Sequence, residues 1–483
     1  MFEISNIDIG IIFGYFVLLF IIGYFVKRKI HGLNDYFLAG RKLTLPIFVA
    51  TLVSTWYGGL LGVGEMSFSY GFVNWIVNGF FWYLVYLFFA FFLANRIRKS
   101  KLYTIPDQLE KFYDKKSRFL GAIFNFIMVS PAPYVLSLGI IFNFLFGIEL
   151  WITICLVAFV MIFYTIRGGF VGVVYTDIIQ FILMMFGVAM IIPIAVWTYG
   201  GFDFLTSALS NPNLALGYIN TTQHLTLTGT QTTQWILIWG LIAFWTLADP
   251  GFYQRCYAAK DDRLPKKGIL VSIGFWLLFD ICTTFTGIYA VAASQAGLLE
   301  VESALTSYLS IAGALLPPVL LGLFLTGLIA TVMSTADSFT FLGAMNISHD
   351  LYKNIFRKKA TEKQVIFVTK IGIVISIGFA VVLSLYFDSI VDMWYYIGTI
   401  GISAMIVPIL AGFFIKGKKS PIAAILSMIS GSITSLLWVI HGYINAIDGW
   451  PIYIEGIEPL YPGLLVSFLV FFIVNKIHKV EMK

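Results

Sequence analysis

Between residues 316 and 347 an apolar stretch carries the run Thr331-Val332-Met333-Ser334-Thr335-Ala336-Asp337-Ser338. At helical spacing Thr331, Ser334, Thr335 and Ser338 fall on one broad stripe, with Asp337 beside it. Hard cations prefer oxygen ligands of this kind. Hydroxyls from one helix supply only part of a coordination shell, so a second element must add carbonyls. The competing reading is that these hydroxyls bond back to the i−4 carbonyl or join neighbouring helices. The natural partner is the stretch 45 to 70, because Ser54-Thr55-Trp56-Tyr57-Gly58-Gly59-Leu60-Leu61-Gly62-Val63-Gly64 is a poor continuous helix. Backbone that unwinds at membrane depth is tolerated where it lines a cavity, and its freed carbonyls become available to cations. The same glycines also serve close helix packing.

Glu65, Asp177, Asp249, Asp280 and Asp337 lie within or at the ends of apolar stretches, and no Lys or Arg is expected deep in any. Buried carboxylates without cationic neighbours need a proton, hydrogen bonds, water or a cation from solution. The last option points to cation-coupled transport. Asp280 sits near the middle of the stretch 267 to 293, with Thr283 nearby and Thr284 one turn further. In a solute cavity it would suit an ammonium, an amide or several hydroxyls, with Glu65 contributing; otherwise it is protonated and bonds a neighbouring helix. Trp56, Tyr57, Trp245, Trp394, Tyr395 and Tyr396 are available as cavity walls, and equally as packing or interface residues.

The elements that must position these groups are membrane helices. Of 483 residues, 59% are hydrophobic and 12% charged, about half the charge of an ordinary soluble chain. Three cysteines, none in a Cys-x-x-Cys pair, give no disulfide framework and no zinc signature. Thirteen stretches reach bilayer-spanning character: 8 to 26, 45 to 70, 73 to 95, 119 to 147, 150 to 166, 171 to 198, 233 to 250, 267 to 293, 316 to 347, 363 to 387, 390 to 415, 420 to 441 and 460 to 476. They are numbered helix 1 to helix 13.

All 31 Lys and Arg follow odd-numbered helices, and the alternate segments, including 199 to 232 and 442 to 459, contain none. The positive-inside rule then sets the N-terminus outside and the C-terminus in the cytoplasm of a multi-pass plasma-membrane protein. The net charge of +6 is a label of topology and excludes a nucleic-acid partner. Helix 1 lacks a basic n-region and a cleavage site and reads as a retained anchor. No stretch outside the spans is long enough for an independent core. Asn220-Thr221-Thr222 is a glycosylation sequon on the outer side.

Helix 7 ends in Trp245-Thr246-Leu247-Ala248-Asp249-Pro250-Gly251, an interruption matching that of helix 2. Helices 2 and 7 run in opposite senses, five spans apart. Residues 45–198 and 233–415 are therefore expected to form two inverted five-helix repeats, after the extra helix 8–26 and before the two C-terminal helices 420–476. The whole chain, 1–483, is read as one all-α transmembrane domain.

The chain resembles the sodium/solute symporter family, which has the leucine-transporter-type inverted-repeat fold with one extra helix in front. The resemblance spans about residues 8 to 415. It rests on Gly168-Gly169-Phe170-Val171-Gly172-Val173-Val174-Tyr175-Thr176-Asp177-Ile178-Ile179-Gln180, on Gln254-Arg255-Cys256-Tyr257-Ala258-Ala259-Lys260, and on Met333-Ser334-Thr335-Ala336-Asp337-Ser338 followed by His349-Asp350-Leu351-Tyr352. It implies a main sodium site at the Ser334 and Thr335 hydroxyls, the Thr331 carbonyl and helix 2 carbonyls near Leu52 and Thr55. A second sodium, held in some members between an aspartate of helix 6 and polar residues of helix 9, would involve Asp177, Asp337 and Ser338. The aromatic inner gate of the sugar-carrying members aligns with Trp245. Their polar sugar ligands do not carry over: Ile242 and Trp276 stand near positions expected to hold asparagine and lysine, and helix 11 has no glutamine.

The expected function is uptake of a small organic solute, not a sugar, coupled to one or two sodium ions by alternating access, with no enzymatic step. Trp56, Gly58, Gly59, Glu65, Trp245, Asp280 and Thr284 are the expected solute-binding and gating residues. A proton-coupled symporter of the same fold is the nearest alternative. Two rivals from other classes are a cation channel, whose flux would not saturate with solute, and a non-transporting solute sensor, which would carry an appended cytoplasmic domain.

Overall fold

The computed structural model describes residues 4–26, 31–210, 221–387, 389–447 and 451–481. Asn220 of the sequon, the basic residues at 27 to 29 and Lys483 lie outside these. Among the described residues the chain is helical, and the one extended pairing is an isolated bridge between Leu43 and Ala259. Eleven helices are long and apolar enough to cross a membrane, and the bent pair Leu45–Trp56 and Leu60–Tyr70 raises the count to twelve. The expected thirteenth, helix 5, is a shorter apolar helix, Leu150–Ile166. By length and composition the architecture thus has eleven or twelve spans, and the expected count of thirteen stands only if helix 5 is added.

Helix breaks fall where the sequence cannot hold a helix. The halves of helix 2 meet at 58° across Tyr57, Gly58 and Gly59. A side-chain carbon on Gly59 would lie 1.4 Å from the Trp394 ring of helix 11, and one on Gly58 would lie 2.4 Å from the Thr335 hydroxyl. Helix 7 runs as Thr233–Leu241, tightens to a 3-10 segment over Ile242–Ala248, and restarts as Pro250–Ala258. Asp249 caps the restart by accepting the Phe252 N–H at 2.7 Å, with Pro250 at the position where a missing N–H costs nothing. Helices 5 and 6 are separated at Gly169, whose φ of 53° favours glycine. Helix 4 is also broken, as Lys115–Met128 and Ala132–Phe146, because Pro131 and Pro133 interrupt the backbone ladder.

Helix 9 lies at the centre. In its most apolar window 89% of residues are buried, against 28% for helices 1 and 13, whose large apolar side chains, such as Phe13 and Phe468, face outward. Helix 1 is nevertheless fastened to the centre: the buried Asp8 carboxylate accepts the Val319 and Gly322 N–H groups, each at 2.8 Å. It thereby supplies acceptors to the otherwise unsatisfied N-terminus of helix 9.

Candidate functional site

The break of helix 2 lies directly against the hydroxyl stripe of helix 9. Ser334 Oγ donates to the Ser54 carbonyl at 2.6 Å or to the Thr331 carbonyl at 2.9 Å. The Thr331 hydroxyl bonds back to the Gly327 carbonyl at 2.6 Å, so only its carbonyl faces Ser334. Thr335 is 1% exposed, and its hydroxyl has no hydrogen-bond partner. Two carbonyls and the Ser334 hydroxyl, from two helices, therefore meet in one place, and the Thr335 hydroxyl faces Gly58 of the same break; oxygens of this kind suit a hard cation. The helix 2 carbonyl in contact is that of Ser54, between the expected Leu52 and Thr55. Leu52 and Thr55 are buried beside it, and the Thr55 hydroxyl reaches a neighbouring cluster.

That cluster corrects one expectation. Arg255 lies in the last turn of the span Thr233–Ala258 and is completely buried, so the buried acids do have a cationic neighbour. Its Nη2 reaches Thr55 Oγ1 at 2.6 Å, Ser338 Oγ at 2.7 Å, Thr51 Oγ1 at 3.2 Å and Asp177 at 3.4 Å. Its guanidinium also stands 5.1 Å from the Phe170 ring centre, a further favourable contact. Asp177 in turn accepts from the Thr51 hydroxyl. The cause is the restart of helix 7 at Asp249: counted as a segment, Arg255 follows a span, but the half-helix folds it back inside. Asp177 and Ser338 therefore share a guanidinium. Asp337, the third residue expected at a second sodium, accepts instead from the Tyr164 hydroxyl.

Beside the break is a cavity of about 140 Å³. Of the expected solute and gate residues, Trp56, Gly59, Trp245 and Asp280 line it, together with Trp82, Tyr86, Trp276 and Trp394. Trp56 meets Trp82 edge-on at 5.4 Å, and Tyr86 packs on Trp276 at 4.6 Å. Asp280 accepts from the Tyr83 hydroxyl. Gly58, Glu65 and Thr284 are not among the lining residues: Gly58 abuts Thr335, Glu65 buries an unpartnered carboxylate oxygen, and the Thr284 hydroxyl accepts from Asn74 at 3.0 Å. Sequence reasoning missed Trp82, Tyr86 and Tyr83. Their one signal was the run Trp82-Tyr83-Leu84-Val85-Tyr86, which puts two rings four residues apart on helix 3.

A separate cluster joins the helix Ile105–Phe112 to helices 4 and 9. Arg118 pairs with Asp107, with Glu110 at 2.5 Å and with Asp350 at 2.9 Å, and His349 Nε2 lies 3.1 Å from Asp107. Burial pushes the Asp107 carboxyl up, but the His349 ring and the Arg118 guanidinium outweigh it and hold the group well below the usual carboxylate range. Asp107, His349 and Asp350 are close enough to share a metal ion. The Arg118 guanidinium already meets that charge.

A discontinuous helix packed on a hydroxyl-rich one, beside an aromatic cavity, is the arrangement of a cation-coupled secondary transporter. The sequence profile of the Sodium:solute symporter family matches residues 36–431. The chain belongs to that family, whose members are transporters and not enzymes, with sodium as the coupling ion. Among its relatives, the "Osmoregulated proline transporter OpuE" of Bacillus subtilis (strain 168) is 27% identical over 98% of this chain and 94% of its own. The "High-affinity choline transporter 1" of Drosophila melanogaster is 27% identical over 79% of this chain and 62% of its own. A solved structure of a Na+-coupled sialic acid symporter, in a substrate-bound outward-open state, superposes with a TM-score of 0.81 at 17% identity, covering 98% of both chains.

Proposed function

We propose that the protein carries a small solute bearing a positively charged nitrogen into the cell, together with sodium bound at the junction of helices 2 and 9. The observation that carries this reading is the buried, unpartnered Thr335 hydroxyl beside Ser334, whose own hydroxyl spans from helix 9 to the Ser54 carbonyl. Sodium there would take the Ser334 and Thr335 hydroxyls and the Ser54 and Thr331 carbonyls. By holding helix 2 to helix 9 it would stabilise the state that accepts solute. Trp245, in the 3-10 segment of helix 7, is the inner gate.

The solute class follows from the cavity. Asp280 supplies one carboxylate, and the surrounding tryptophan and tyrosine faces favour a cationic nitrogen over a neutral polyol. Proline and choline, named in two of the relatives, both carry such a nitrogen. Orientation follows from the Lys and Arg distribution, with the N-terminus outside and the C-terminus in the cytoplasm of the plasma membrane. Residues 45–198 and 233–415 form the two inverted repeats. One sodium entering down about 100 mV and a tenfold gradient supplies about 3.7 kcal/mol, enough for roughly 500-fold accumulation of a solute with no net charge.

The test is uptake into proteoliposomes of labelled proline, choline and glucose, with and without an inward sodium gradient. Sodium-stimulated uptake of an amine, with none of glucose, is expected. Uptake driven by a pH jump in sodium-free buffer would replace sodium by protons, and uptake confined to glucose would overturn the solute class.

A further inference from the structure

The charged side chains in and beneath the aromatic cavity are unevenly signed. Asp280 of helix 8 stands in its wall, and among the described residues neither Lys nor Arg lines it. One turn inward of the lining residue Trp245 lies Asp249, completely buried. Its Oδ1 accepts the Phe252 N–H at 2.7 Å, and its Oδ2 has no partner. A side-chain carbon on Gly251 would lie 3.0 Å from that Oδ1 and 3.9 Å from the ring of Phe339, another lining residue, so the carboxylate is set against the inner side of the wall. Toward the outer end of helix 2, Glu65 also buries an unpartnered oxygen. The one nearby guanidinium, Arg255, is completely buried behind the lining residue Thr55 and is already shared with Asp177.

The N-terminus of a broken helix at membrane depth ordinarily offers free N–H groups and a positive dipole end to an anionic group of the solute. Here the restart of helix 7 is closed by its own acid. Pro250 has no N–H, Phe252 donates to Asp249 Oδ1, and Tyr253 donates to the Asp249 carbonyl at 3.2 Å. We infer that the solute is a net cation without a carboxylate, a quaternary ammonium or a simple amine, and that Asp249 is the residue that rejects zwitterionic amino acids. The positive nitrogen goes to Asp280 and the aromatic faces. A carboxylate on the same solute would meet a buried like charge at the floor instead of a free donor, and such opposition discriminates against the wrong partner.

The inference rests on the reading of the cavity as the site of a positively charged nitrogen, and the experiment separates the two. Choline and glycine betaine share a trimethylammonium group and differ by a hydroxymethyl against a carboxylate; pyrrolidine and proline differ by the carboxylate alone. Titration calorimetry of the purified full-length protein in sodium is expected to give, in at least one pair, a carboxylate-free member bound about tenfold or more tighter than its partner. Asp249→Asn keeps a capping oxygen and removes the charge. It should narrow that gap about tenfold, chiefly by tightening the carboxylated member, whereas loss of a merely structural cap would weaken both members alike. Betaine and proline bound as tightly as choline and pyrrolidine overturn the inference and keep the amine reading. A wild-type gap that Asp249→Asn leaves intact overturns the role of Asp249. Binding of none of the four overturns the amine reading itself.

Discussion

The pairing of Arg255 with Asp177 makes a quantitative prediction. Arg255→Gln removes the charge that faces a completely buried carboxylate. Breaking such a pair by deleting one partner costs about 3–5 kcal/mol, because the remaining charge is left uncompensated. Asp177→Asn alone strands the guanidinium, which keeps Thr55 at 2.6 Å and Ser338 at 2.7 Å, so its cost falls at the lower end of that range. In the double variant both charges are gone, and the loss returns to about 1 kcal/mol. The coupling energy of the cycle is then about 5 kcal/mol or more, read by reversible unfolding of the four proteins in a mixed-micelle titration. Sodium adds a second readout. With Arg255 gone, Asp177, Thr51, Thr55 and Ser338 form an all-oxygen pocket, and sodium at 100 times its dissociation constant would restore about 2.7 kcal/mol. That rescue should be present in Arg255→Gln and absent from the double variant. Additive losses within 0.5 kcal/mol would refute the reasoning and make Arg255 a packing residue.

Further outcomes follow from the same geometry. Ser334→Ala with Thr335→Ala should abolish sodium-stimulated uptake, and undiminished uptake would remove the ion from the helix 2 and 9 junction. Asp280→Asn should raise the KM for a cationic solute about 10- to 100-fold, the equivalent of losing one hydrogen bond to a charge, while Tyr83→Phe should act more weakly because it removes only the donor to Asp280. Asp107, held low by His349 and Arg118, contributes stability that is full above its unfolded pKa of about 3.9 and is lost as pH falls through its folded value. Arg118→Gln should therefore move the acid limb of a fluorescence-monitored unfolding curve to higher pH, and an unshifted limb would exclude the pair as its cause.

The breaks of helices 2 and 7 were legible because Gly58-Gly59 and Asp249-Pro250 disfavour a continuous helix locally, whatever surrounds them. The apolar spans were legible for the same reason, since each is a property of about twenty consecutive residues. Asp249 was read as one more buried acid, which it is; one of its oxygens also caps the Phe252 N–H while the other is buried without a partner, a capping role that the following Pro250 could have suggested. What escaped depends on distant partners. Tyr83 meets Asp280 across 197 positions and Tyr164 meets Asp337 across 173, and no local pattern marks either tyrosine. Arg255 escaped because segment-wise charge counting places a residue on a side of the membrane without saying whether its side chain turns inward. The second-ion residues were named as one group from the family resemblance, and the side-chain directions divide them: Asp177 and Ser338 meet Arg255, and Asp337 meets Tyr164.

The bond from Asp8 to helix 9 also sets an order in time. Its partners Val319 and Gly322 lie 311 and 314 residues later in the chain. At ribosomal speeds of about 5–20 residues per second, helix 1 waits roughly 15 to 60 s in the bilayer before the backbone it caps has been made. Through that interval Asp8 Oδ2 has a local donor in the Ser5 hydroxyl at 2.6 Å, while Oδ1 must be hydrated at the membrane surface or held by a transient neighbour. Helix 1 is thus synthesised well before the backbone it caps and cannot take its final place until helix 9 is made, which makes the nascent chain without helix 9 a natural client for an insertase.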